Sequence, residues 1–184
     1  RTTTSKGPVR EMPLDAIRKL EAGTKFSKGF AGVKVPTLDE GLKALGQSSW
    51  VYLDAKEIVP EKLIEAVGNH NLWERHVVYQ SADYCKKLKA LDPRIRTLPP
   101  LKSRGQLKDL AGIKPFGVDA SWSILTKELI DECHSMGIQV FSDALGINET
   151  VSEYQKAIRM GVDVIQTDQP MRLLRAIELL EKSK

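Results

Sequence analysis

The chain has 184 residues, 41% hydrophobic and 28% charged, with a net charge of +4. That length supports one domain with a sizeable core. The charge is too mild for a dedicated nucleic-acid binder, there is no Lys/Arg run of five, and no stretch is long and apolar enough to span a membrane, whereas an anionic small substrate is compatible. The two cysteines, Cys85 and Cys133, lack metal or disulfide spacing and are expected to be reduced and buried. No signal peptide is visible. The chain begins at Arg1 instead of methionine, so a preceding segment, targeting or otherwise, is read as missing and the compartment stays open.

In chain order, "TSKGP" is a loop, and "LDAIRKLEAG" places Leu14, Ile17 and Leu20 at helical spacing with Gly23 as its stop. "KFSKGFAGVKVP" is a Gly-rich connector, and "TLDEGLKAL" opens with Thr37 and Glu40 at capping-box positions. From residue 50 a regular alternation begins. Strands are expected at "WVYLDAK", "HVVYQS", "RIRTLPP", "PFGVDASW", "GIQVFSDA" and "DVIQTD". Helices are expected at "PEKLIEAVG", "ADYCKKLKAL", "RGQLKDLAG", "LTKELIDECHSMG", "NETVSEYQKAIRMG" and "PMRLLRAIELLEKS". Six consecutive strand–helix units imply a parallel sheet with helices outside.

An open doubly wound sheet and a (β/α)8 TIM barrel both fit this alternation. The first expects a Gly-rich phosphate loop after an early strand, and here the Gly-rich stretch precedes the first strand. Polar residues recur at strand C-terminal ends: Asp54 and Lys56, Gln80 and Ser81, Asp119, Ser142 and Asp143, Thr167 and Asp168. Barrel enzymes build their sites there, although open sheets do the same. In the first strand, Asp54 and Lys56 share one face, opposite Val51, Leu53 and Ala55.

The chain resembles the glycerophosphodiester phosphodiesterase family over nearly its whole length. The resemblance is carried by "RTTTSKGPV", by "LDAIRKLEAGTKFSKGFAGVKVPTLDEGL", which is similar to a family insertion ending in "PTLEE", by "VYLDAK" and "VVYQS", and by the ending "GVDVIQTDQP". It implies a TIM barrel represented here by about six of its strands, with residues 1–49 as the insertion and 50–184 as six strand–helix units of one partial domain. The family's His-Arg-Gly, Glu-x-Asp and His-Asp segments would precede Arg1, so no catalytic residue of the family is expected in this chain. The resemblance further implies a metal-dependent phosphoric diester hydrolase that releases glycerol 3-phosphate and an alcohol, with the isolated chain inactive. The cofactor would be a divalent metal, calcium or magnesium. The partner would be a small glycerophosphodiester, with no nucleic acid or membrane span and with self-association through the open seam of the barrel. A non-catalytic fragment that binds phosphate or a partner is the alternative.

Asp54 stands where the family usually has Glu, one methylene longer; it still offers oxygens to a hard cation. On this reading Asp54 is a metal ligand and Lys56 meets the substrate phosphate; the competing reading is a plain ion pair inside the barrel. Gln80, Trp122 and Phe141 are possible substrate-lining residues, against helix capping for the Gln80–Ser81 pair and core packing for Trp122. Asp168 reads as an N-cap before Pro170. His76 is expected at the barrel bottom, His70 in a loop and His134 in a last helical turn; none is a candidate for catalysis. There is no Gly-x-Ser-x-Gly and no suggestion of a Cys–His pair.

Overall fold

The computed structural model describes residues 2–3, 5–46 and 48–182. Arg1 and Thr4 of "RTTTSKGPV", and the end of the last expected helix at Ser183, lie outside the described residues.

The described residues among the first 49 carry little regular structure. Helix α1 (Leu14–Lys19) stops at Leu20, short of the expected Gly23. Gly23 is required for another reason. A Cβ there would sit 2.0 Å from the Phe30 carbonyl oxygen, so only glycine permits this close approach. Helix α2 (Leu38–Ala44) starts on a reciprocal capping box, with Thr37 accepting from the Glu40 N–H and Glu40 from the Thr37 N–H.

The remainder alternates strand and helix: β1 (Val51–Asp54), α3 (Pro60–Asn69), β2 (His76–Tyr79), α4 (Ala82–Leu91), β3 (Thr97–Leu98), β4 (Pro100–Leu101), α5 (Leu107–Ala111), β5 (Gly117–Ala120), α6 (Lys127–Ser135), β6 (Gln139–Asp143), α7 (Val151–Met160), β7 (Val164–Gln166) and α8 (Pro170–Glu181). All pairings between these strands are parallel. The order is β1-β2-β3, then β4-β5-β6-β7. The split has a chemical cause. Strands β3 and β4 are one expected strand interrupted at Pro99-Pro100, and proline has no N–H for the ladder. The Gln80 carbonyl, in register to accept from residue 100, instead accepts from the Cys85 thiol. On the other side the ladder continues, since Phe116, Asp119 and Ser121 donate to the carbonyls of Thr97, Pro99 and Leu101. The result is one curved wall. Among the described residues no strand pairs with the outer edge of β1 or of β7, so the barrel is open.

Side chains alternate across this wall. Outward residues pack under the helices in two main clusters: Val51, Leu63, Val67, Val78, Leu88 and Ile95 in one, and Leu101, Leu107, Val118, Leu129, Ile130 and Val140 in the other. Cys85 and Cys133 are both free and buried in the second, where burial pushes each thiol up to about 11. Hydroxyls start four helices: Thr37, Ser81, Thr126 and Thr150 each accept from the N–H three residues on. Inward residues form a smaller cluster, Val77, Leu98 and Phe141, which floors the wall.

Candidate active site

Above that floor lies a cavity of about 450 Å³, at the C-terminal ends of the strands. Tyr52 and Asp54 reach it from β1, Tyr79 from β2, Asp119 from β5, and Phe141 and Asp143 from β6. All six are placed inward by the period of two, and the curvature of the wall turns them toward one space.

The two charged residues of β1 meet. Lys56 Nζ lies 2.5 Å from Asp54 Oδ1, and opposite them Val51 and Ala55 are buried. The pair is not buried: the lysine side chain is 72% and the aspartate 49% exposed. An exposed pair contributes roughly 0–1 kcal/mol, too little to explain its placement by stability alone. Lys56 also stands 5.9 Å above the Tyr79 ring.

Asp119 is half-buried, and burial, followed by the charge of Asp143, raises its carboxyl to about 7. Asp143 is raised too, by burial and then by Asp54. Burial and the same carboxylates push the Tyr52 and Tyr79 phenols up. The cavity is thus lined by three carboxylates, Asp54, Asp119 and Asp143, and Lys56 is paired with the first of them beside it. Asp119 and Asp143 appear in the sequence as strand-end polar residues, but nothing in a single chain says which strand ends face one another.

The other expected residues are placed differently. Gln80 uses its amide on backbone: Nε2 donates to the carbonyls of Ala55 and Lys56, and Oε1 accepts from Ser81 N–H. It fastens β1 to β2 instead of reaching the cavity. Ser81 caps α4. Trp122 packs toward the cluster of Ala144, Tyr154 and Ala176, its indole 3.4 Å from Glu153. Phe141 does line the cavity. The N-cap of α8 is Gln169 and not Asp168, although Pro170 holds the first helical position. The end of β7 is tied down by Glu149, which accepts from Thr167 Oγ1 and the Asp168 N–H.

The histidines lie away from the cavity. His76 is fully buried, with Nδ1–H donating to the Leu72 carbonyl and Nε2 accepting from Arg96 N–H. Burial lowers its pKa and keeps it neutral. His70 meets Asp39 and His134 meets Asp163, each at 2.8 Å.

Among the described residues no three His, Cys, Asp or Glu side chains converge closely enough to hold a metal ion. Asp54 alone does not make a site for a hard divalent cation, which takes six or more oxygens.

An open parallel βα wall with polar groups gathered at its C-terminal strand ends defines a barrel-type α/β protein. Solved structures agree. The wall matches a putative glycerophosphodiester phosphodiesterase from Galdieria sulphuraria with a TM-score of 0.78 at 18% identity, covering 92% of this chain and 72% of that one. It matches an Oleispira antarctica phosphodiesterase in complex with the product sn-glycerol-3-phosphate with a TM-score of 0.77 at 20% identity, covering 97% and 75%. The Glycerophosphoryl diester phosphodiesterase family profile matches residues 1–172, and the chain belongs to that family. A glycerophosphodiester phosphodiesterase of Caldanaerobacter subterraneus subsp. tengcongensis is 27% identical over 96% of this chain and 76% of its own length. One from Bacillus subtilis is 28% identical over 92% and 66%.

Proposed function

We propose that the protein acts in hydrolysis of glycerophosphodiesters to glycerol 3-phosphate and an alcohol. The single observation that supports this is the Asp54–Lys56 pair, exposed at the mouth of the cavity in a member of this family. Lys56 offsets the phosphate's negative charge, most strongly as that charge grows toward the transition state. Asp54 serves as one ligand of a divalent cation, calcium or magnesium, whose other ligands come from outside the described residues. When bound, that cation polarises a phosphoryl oxygen. Phe141 and the two tyrosines give the cavity its apolar lining.

The seam between β1 and β7 would take the two strand–helix units that complete an eight-stranded barrel, together with the groups that move protons. Positioned acid–base catalysis contributes typically 10²–10⁴-fold, so the 184-residue chain alone should turn over glycerophosphodiesters at background. That inactivity also fits the reading of the isolated chain as a phosphate-binding fragment, which the exposure of the Lys56 side chain favours.

The test uses the chain completed by those units. Asp54→Ala should raise the cation concentration needed for activation and lower the rate at saturating cation. Lys56→Ala should lower turnover while leaving the cation response in place. Equal losses of stability with unchanged cation response in both variants would reduce the pair to an ion bridge and reject the assignment.

A further inference from the structure

The loop that precedes α2 is tied at its neck. Glu21 and Lys34 form an antiparallel bridge, and the Ala22 N–H donates to the Val33 carbonyl at 2.8 Å. Gly23 lets the Phe30 backbone pass against it. Within the loop the backbone satisfies itself: the Phe26 and Ser27 N–H groups donate to the Gly23 carbonyl, Phe30 N–H to Ser27 and Ala31 N–H to Lys28. The Ser27 hydroxyl accepts from Gly29 N–H at the start of a 3-10 turn over Lys28–Phe30. Such a segment is a compact surface loop of the Ω type, held in one shape by its own contacts.

Its apolar side chains are left in water by that shape. Residues 24–34 are all exposed. Phe26 is 83% and Phe30 51% exposed, their rings tilted together with centroids 5.4 Å apart, and Val33 is exposed as well. Two rings held at the tip of a tied loop forgo the stabilisation that burial would give them, and a grouped apolar exposure of this kind calls for a partner.

The charge around the rings has one sign. Lys25, Lys28 and Lys34 share the exposed stretch, which holds no acidic residue. Among the described residues none of these lysines forms an ion pair; Lys25 and Lys34 donate instead to the backbone carbonyls of Thr3 and Lys19. Glu21, the single acid between Ala16 and Leu38, is turned into the neck, where it accepts from the Gly32 N–H.

Apolar rings flanked by ammonium groups on flexible stems match an anionic lipid surface. Rings enter the boundary between headgroups and acyl chains, while lysines stay among the phosphates. A protein partner fits less well, since a stable interface takes about 20–30 residues a side around a shaped core, and this is a single loop. A nucleic-acid strand is favoured less too, because a chain of net charge +4 supplies little of the basic track that a phosphate backbone needs.

We propose that the loop of residues 24–34 docks the protein on an anionic bilayer, with Phe26 and Phe30 inserted at the interface and Lys25, Lys28 and Lys34 against the headgroup phosphates. The attachment is peripheral, for no helix among the described residues is long and apolar enough to cross a membrane. The loop lines no part of the cavity at the strand ends, so this docking stands whether or not any diester is hydrolysed.

The test is co-sedimentation of the 184-residue chain with vesicles of phosphatidylglycerol and phosphatidylcholine in equal parts, set against phosphatidylcholine alone. At low salt the anionic vesicles should be favoured by on the order of a hundredfold, because each lysine near such a surface strengthens binding about fivefold, and added salt should weaken the preference. Phe26→Ser with Phe30→Ser should lose at least about tenfold. Lys25→Gln with Lys28→Gln should lose roughly twentyfold. Lys86→Gln with Lys87→Gln, on the exposed face of α4, should change little, as should Met171→Ser with Ile177→Ser on α8. If the double phenylalanine variant does not fold, Phe26→Ser alone, at the more exposed ring, carries the same comparison with a smaller loss. Absence of binding to anionic vesicles, undiminished binding by the phenylalanine variant, or equal losses from the loop lysines and from Lys86 and Lys87 would each overturn the proposal. Loss of binding in the α8 variant would make the seam the lipid contact and reject the loop. Binding to heparin as tight as to vesicles, and indifferent to the phenylalanines, would reject the bilayer in favour of a polyanion.

Discussion

Asp119 shows how one residue can oppose the fold that holds it. Its carboxyl is raised to about 7 because burial, and then Asp143, disfavour the charged form. In the unfolded chain it would ionise near 4. Between those values the native state holds a proton that the unfolded state has released. Stability from this group is therefore full at low pH and is lost as pH rises through about 7. Asp119→Asn removes the ionisation and keeps the shape. At pH 8 the variant should melt higher than wild type, by about 1 kcal/mol once the shift is discounted for remaining solvent contact, or roughly 2–4 °C. Below about pH 4, where the carboxyl is protonated in both states, the two should converge. A variant that melts lower at pH 8, followed by circular dichroism, would mean that the carboxylate has a native partner.

At the scale of elements, much of the fold is legible and the reasons are local. The strands are short apolar runs because a parallel wall is covered on its outer face by helices. The helices are marked by hydroxyl caps, as at Ser81 and Thr126, and by proline at the first position, as at Pro60 and Pro170. What escapes a local reading depends on contacts distant in sequence. Gly23 reads as a helix stop but is glycine because Phe30 passes against it. Gln80 reads as a site residue until its amide is seen fastening two strands. Asp54 and Lys56 are legible as a pair, yet their exposure, and the company of Asp119 and Asp143, follow from the curvature of the whole wall. Gly117 belongs to the same class. A Cβ there would lie 2.8 Å from the Gln139 carbonyl oxygen and 3.1 Å from Leu98 Cδ1. Gly117→Ala must push β5 from β6, at about 1–3 kcal/mol, and because Asp119 is two residues on along the same face, the shift should reach the cavity. Urea denaturation should show the loss, and an unchanged midpoint would mean that the two strands have slack at this point.

For the molecule as a whole, the open seam is the dominant feature. The outer edges of β1 and β7 carry backbone groups with no strand partner among the described residues, and such edges recruit other chains. Apolar side chains stand exposed near both: Val9, Leu38 and Trp50 toward β1, and Met171, Leu174 and Ile177 on α8 beside β7. Grouped apolar exposure of this kind marks an interface or a liability to aggregate. The 184-residue chain by itself should therefore self-associate through the seam, as a dimer or as larger species, and completion of the barrel should suppress this. Sedimentation velocity distinguishes the outcomes. Met171→Glu with Ile177→Glu, placing charge on exposed positions of α8, should shift the chain toward monomer if the β7 side takes part. A monodisperse monomer of the unaltered chain would show that the edges are protected, and two further staves would then not be needed to explain how these residues stay in solution.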